Sequence, residues 1–184
     1  MTRKTSTYAR RRMRAAWQPE LHYSPTQLAL ASRTEPLPDT ASQLVRMETA
    51  LASIERDPAP SVQSWRVLSD AVNMMETLTK LSPVRVRLVG ERIDEYVIKD
   101  ESGLLNDAVQ ALAEAGRRHV QQHAPIRLNG PGIQAVRAVL ADYADLVSQL
   151  PAWVLLHCHR ETERRLHQIR RGQRQDGDIE IVEI

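Results

Sequence analysis

The sequence has little cysteine, few aromatic rings and no long apolar run. Its one cysteine, Cys158, cannot close an internal disulfide or supply a cysteine-based zinc cage, so a reducing compartment is the expectation. Phenylalanine is absent. No stretch approaches the ~20 apolar residues of a membrane span. The basic opening, MTRKTSTYARRRMRAAW, has no apolar run behind it, which argues against a signal peptide. Gln18, Pro19 and Glu20 follow Arg10, Arg11 and Arg12 too soon for a twin-arginine signal. These absences lead to the expectation of a soluble, cytoplasmic protein with no membrane partner. Catalytic signatures are missing as well: there is no HExxH, no P-loop Lys-Ser/Thr, no GxSxG and no DxDxDG loop. The chain is therefore read as no enzyme, with no cofactor.

What is there is a globular composition, 42% hydrophobic and 26% charged over 184 residues, suited to one domain with tails. The net charge of +2 hides a segregation. Residues 1 to 14 hold Arg3, Lys4, Arg10, Arg11, Arg12 and Arg14 and no acid. The rest of the chain carries 19 basic groups against 23 acids. Basic abundance by itself says less, because 22 of the 25 basic residues are Arg, as GC-rich coding would give.

Three segments follow. Residues 1–38, punctuated by Pro19, Pro25, Pro36 and Pro38, read as a basic flexible N-terminal arm. Residues 39–172 read as a helical domain, and 173–184 as an acidic C-terminal tail. In the domain, Thr40 and Gln43 match a capping box, and Leu44, Met47, Leu51 and Ile54 form one face of a helix over 40–56. Ser61 is the expected N-cap of a second helix with the stripe Trp65, Leu68, Val72, Met75, Leu78 and Leu81, closed by Ser82 and Pro83. The two predict an antiparallel helical hairpin. A third helix is expected over 102–123, with Leu105, Ala108, Leu112 and Ala115 inward. A fourth starts at Asn129-Gly130-Pro131-Gly132 and carries Ile133, Val136, Leu140, Tyr143, Val147 and Leu150. A fifth begins after Pro151, with Leu155, Leu156, Thr162, Leu166 and Ile169 inward.

Val84 to Val89 alternates as a strand does. Its partner is either the following segment, where Arg92 to Lys99 could equally begin a helix, or the tail IEIVEI. The fold class expected is thus mainly α, a compact bundle of about five helices with the basic arm and room for a minor two-stranded β element.

Candidate sites are few. The arm interleaves Tyr8, Trp17 and Tyr23 with its cations. Guanidinium groups pair bidentately with phosphate while rings stack on splayed bases, so Arg3, Lys4, Tyr8, Arg10, Arg11, Arg12, Arg14 and Trp17 are the candidate nucleic-acid contacts, for DNA or RNA. Neutralising about six phosphates implies a log-log salt slope of roughly −4 on a single strand and −5 on a duplex. The opposing reading is a solvated arm, or one strapped onto the acidic body. A second basic zone, Arg160, Arg164, Arg165, Arg170, Arg171 and Arg174, faces only Glu161 and Glu163 locally and is read chiefly as complementing a helix C-terminus.

His159, Glu163 and His167 share a helical face, and His119 and His123 form another i,i+4 pair, so two packed helices would bring N/O donors together for zinc. The spacing is common by chance, and the expectation is no metal site. Cys158 reads as a buried small hydrophobe rather than a nucleophile. Gly130-Pro131-Gly132 reads as a turn.

The run Trp65-x-x-Leu68-x-Asp70-Ala71-Val72-Asn73-x-x-Glu76-x-Leu78, with Leu128-x-Gly130-Pro131-x-x-Gln134-Ala135 leading on to Leu140 and Tyr143, resembles small phage- and prophage-encoded proteins of Gram-negative proteobacteria. The resemblance spans about residues 40–172 and departs at Val84 to Val97. It implies a mobile element in a bacterial cytoplasm, and it carries over no activity and no functional residue. The expected function is a non-enzymatic accessory or regulatory protein that contacts nucleic acid through its arm. The alternative is a helical protein-protein interaction module, an assembly factor or inhibitor acting on a host or phage protein. A homodimer is a further expectation, since the heptad stripes of the first two helices could zip between chains.

Overall fold

A computed structural model describes residues 41–87 and 93–173. Its elements are α1 (Ala41–Arg56), α2 (Val62–Leu81), β1 (Val84–Arg87), β2 (Ile93–Tyr96), α3 (Leu105–Gln122), α4 (Gly130–Gln149) and α5 (Ala152–Arg170). The chain is mainly α, with five helices packed in contact. Thr40, the whole arm, residues 88–92 and the tail from Arg174 onward lie outside the described residues.

Helix α2 organises the domain because it is apolar on more than one side. Trp65, Leu68, Val72 and Met75 form one buried stripe, and Val67, Ala71, Met74 and Leu78 form a second. With two stripes a helix can bury itself against several neighbours at once, and α2 packs on α1, α3, α4 and α5. The single stripe expected from the sequence is therefore only one of two buried faces. Ser61 caps it as expected, its Oγ accepting the Ser64 N–H at 3.1 Å, which satisfies one of the orphan amides of the first turn.

Helix α1 turns Met47, Ala50, Leu51 and Ile54 onto this assembly, and Asp57 and Pro58 end it. The stripes of α1 and α2 therefore bury each other within one chain, as the helical hairpin requires. Helix α4 lays Ala135, Val136, Val139, Leu140, Tyr143 and Val147 against the core. Asn129 starts it, with Oδ1 accepting the Gly132 N–H at 2.7 Å and Pro131 in the first turn, where its missing N–H costs nothing. On α5, Val154, Leu155, Cys158, Thr162 and Ile169 are buried, whereas Leu156 and Leu166 are only partly covered.

One helix differs in its bounds from the sequence expectation. Helix α3 starts at Leu105 rather than Ser102. Asp100 Oδ1 accepts the Ser102 hydroxyl at 2.9 Å and its Oδ2 accepts the Leu105 N–H at 3.0 Å. With Gly103 at φ +68°, the carboxylate thus caps the helix from five residues upstream, after a turn that Ser102 belongs to. At the other end α3 stops at Gln122, with His123 left-handed at φ 53°. The strand partner, which the sequence left open between the following segment and the tail, is the following segment. β1 pairs antiparallel with β2, Val84 opposite Tyr96 and Arg87 opposite Ile93, so the segment after Arg92 extends the hairpin and does not begin a helix. Ser82 Oγ accepts the Ile98 N–H at 2.9 Å and ties the outgoing end of the hairpin to the C-terminus of α2.

Candidate functional site

The candidate nucleic-acid contacts Arg3, Lys4, Tyr8, Arg10, Arg11, Arg12, Arg14 and Trp17 all lie outside the described residues. Within the described residues, polar chemistry concentrates at three places.

The first is the α2–α5 contact. Arg165 reaches across to Glu76 with both terminal nitrogens, at 3.0 and 2.9 Å, and Lys80 joins the same carboxylate at 3.2 Å. Arg164 is held by Glu161 at 2.7 and 2.6 Å. Local sequence offered the second basic zone only Glu161 and Glu163 as counter-charges. The structure adds Glu76 from another helix, so part of that zone is matched internally.

Beneath it the Thr162 and Thr77 hydroxyls stand 2.8 Å apart. Each lies 2.9 Å from the carbonyl four residues before it, Cys158 O and Asn73 O. One proton therefore bridges the pair while the other serves a carbonyl. The Cys158 thiol points at Met74 O, 3.3 Å away. Burial pushes its pKa from 9.0 up to about 12, the Thr162 hydrogen bond opposing this and nearby Glu161 adding to it. A thiol held neutral in this way is a core group and a poor nucleophile.

The second place is the histidines. His119 Nδ1 lies 2.8 Å from Ala124 O; since a carbonyl only accepts, Nδ1 carries the proton, and the ring closes the end of α3. His123 sits at the cap itself. Among the described residues no three His, Cys, Asp or Glu side chains are grouped to hold a metal ion.

The third place is the α3–α4 corner. A groove of about 420 Å³ runs between these helices, with Asp107, Gln110, Glu114 and Arg118 on one wall and Asn129, Pro131 and Gln134 on the other. Its walls meet where Gly132 passes Ala111; a Cβ at Gly132 would stand 2.8 Å from the Ala111 Cβ. At the mouth, Arg118 Nη2 donates to Arg127 O at 2.7 Å, and Arg127 Nη2 donates to Pro58 O at 2.7 Å. Both side chains are exposed. Arg137, further along α4, is paired with Glu55 of α1. The sequence reading missed this corner. The signal that marks it is an acid-free run from Ala115 to Ala141, holding Arg117, Arg118, Arg127, Arg137, His119 and His123.

No helix among the described residues is long and apolar enough to cross a membrane. The fold of the described residues is a five-helix bundle with a β-hairpin inserted between the second and third of these helices. No family model matches the chain, and no curated protein or solved structure matches it.

Proposed function

We propose that the chain is a non-enzymatic accessory or regulatory protein, belonging to a phage or another mobile element, that contacts nucleic acid through its basic leader. The observation that carries the reading is the segregation of charge: six cations and no acid in residues 1 to 14, on a chain whose remainder is acidic on balance. A polyanion is the partner such a distribution attracts. Two features of the bundle support it. Glu55, Glu76 and Glu161 are already engaged by Arg137, Arg165 and Arg164, which weakens the competing account in which those carboxylates neutralise the leader. The one thiol, which could have suggested catalysis, is buried in the core.

The test is a fluorescence-anisotropy titration of the full chain against a short labelled single strand and the matching duplex over a series of salt concentrations. The expected result is a log-log slope of roughly −4 on the single strand and −5 on the duplex, falling to a small residual on deletion of residues 1–14. Salt-independent binding, or binding unchanged by the deletion, overturns the reading. Indifference to nucleic acid together with a stoichiometric protein partner would replace it with the interaction-module alternative.

A further inference from the structure

We infer that the corner built by the end of α3, the 123–129 loop and the α1–α2 turn is a second, preformed contact for the sugar-phosphate backbone of a nucleic acid, with Arg118 and Arg127 as its phosphate ligands. The inference rests on the reading that the chain binds nucleic acid, and it deepens that reading by placing part of the contact on the folded domain.

The argument begins with what the two guanidiniums do. Each spends a donor on a main-chain carbonyl, Arg118 on Arg127 O and Arg127 on Pro58 O. A carbonyl fixes a guanidinium in place without cancelling its charge, and the group has five N–H donors, so most remain for a partner. Among the described residues no carboxylate lies within ion-pairing distance of either group. Elsewhere on the bundle arginines do meet carboxylates, Arg137 with Glu55, Arg164 with Glu161 and Arg165 with Glu76 among them.

Two acids close by in sequence or fold among the described residues, Asp57 and Glu114, do not change this. Asp57, beside Pro58, accepts the Ser53 hydroxyl at 2.5 Å, and Glu114, one turn before Arg118, lies along the groove wall with Asp107. Sequence composition agrees, since no acid occurs from Ala115 to Ala141. The opening turn of α4 adds the positive end of a helix dipole at the same corner.

Two exposed cations are thus tethered to backbone carbonyls rather than to carboxylates, Arg118 to the main chain of Arg127 itself. That arrangement suits phosphate, which accepts paired N–H groups from one guanidinium. A peptide partner would need apolar anchors or buried area beside the charges, and Leu104 is the one large aliphatic side chain among the residues that line the groove. The leader and this corner would then grip one backbone at two places, and each would raise the effective concentration of the other.

The experiment uses the full chain, a labelled duplex and a salt series, comparing wild type with the double variant Arg118→Gln/Arg127→Gln. The charge-matched control is Arg160→Gln/Arg171→Gln, which removes two exposed cations from α5 and its C-cap. The expected result is a slope flatter by roughly 2 for the corner variant, an unchanged slope for the control, and retention of slope in Arg118→Lys/Arg127→Lys, which keeps both charges. Thermal melts show that each variant is folded, and the lysine pair separates lost charge from a lost tether.

A corner variant that binds like wild type, while binding still depends on residues 1–14, overturns this inference and leaves the proposed function standing. Absence of any nucleic-acid binding by the full chain removes both. Corner-dependent binding to vesicles containing phosphatidylserine, with none to duplex or single strand, overturns the inference in favour of a lipid surface.

Discussion

The indole Nε1–H of Trp65 donates to the main-chain carbonyl of Leu112 at 2.9 Å, in a buried setting where α2 crosses α3. The ring fills the crossing and its one polar atom meets a partner there, which allows a tryptophan to lie 8% exposed in a core. Trp65→Phe removes both the hydrogen bond and part of the ring. The expected loss is about 2 to 4 kcal/mol, the cost of a buried cavity plus a missing bond. Urea unfolding with far-UV detection reads it as a lower midpoint at unchanged m-value. A loss below about 0.5 kcal/mol would show that the crossing does not depend on this ring.

Much of the bundle was legible because local chemistry and hydrophobic period agree. Ser61, Asn129 and Pro131 mark the helix starts where the caps form, and the prolines at 58, 83, 125 and 151 fall between helices. The second face of α2 was not legible. Val67, Ala71 and Met74 are interleaved with Ser69, Asn73 and Thr77, so a search for one stripe stops at the first. That face gains meaning only when α5 arrives with Cys158 and Thr162. Asp100 was invisible as the α3 cap because a carboxylate five residues upstream can cap only after a left-handed glycine turns the chain back. The Arg118–Arg127 corner joins residues on a helix and on a loop; what sequence offered was the missing acids, a signal that concerns a run and no single position.

The hydroxyl pair between α2 and α5 gives a prediction of sign. Thr162→Val removes a buried donor and leaves Thr77 with Asn73 O as its partner, for an expected cost of about 1 kcal/mol. Thr77→Val/Thr162→Val replaces both hydroxyls by methyl groups of the same shape, so the double variant is expected to lie close to wild type and well short of the sum of the singles. Strict additivity in a double-mutant cycle would show that the two groups act independently.

Gly132 is set against the side chains of Ala111 and Asn129. Alanine is the better helix former by about 1 kcal/mol, yet its Cβ would stand 2.8 Å from the Ala111 Cβ and 2.8 Å from the Asn129 Oδ1 that caps the helix. The Ala111 Cβ is fixed to the α3 backbone and the Asn129 Oδ1 is engaged as the helix cap, so the close contact wins. Gly132→Ala is expected to lower stability by about 1 to 3 kcal/mol, and Ala111→Gly in the same chain is expected to recover part of the loss. A stabilised single variant would mean that α3 and α4 separate without cost.

Cys158 supplies a dependence on pH whose direction follows from burial. The neutral thiol is favoured in the folded protein, where its pKa rises from 9.0 to about 12; the unfolded chain releases that proton first. This contribution is fully present below pH 9 and is lost as pH rises through about 12. Between pH 9 and 11 wild type is therefore expected to lose stability more steeply than Cys158→Ala, by at most about 1.4 kcal/mol per pH unit from this group. Cys158→Ala lowers the stability at pH 7 by opening a small cavity, so the two curves converge as pH increases. Urea midpoints at matched ionic strength measure the slopes. Parallel curves, or rapid modification of the thiol by an aromatic disulfide under native conditions, would show the group to be accessible and ordinary.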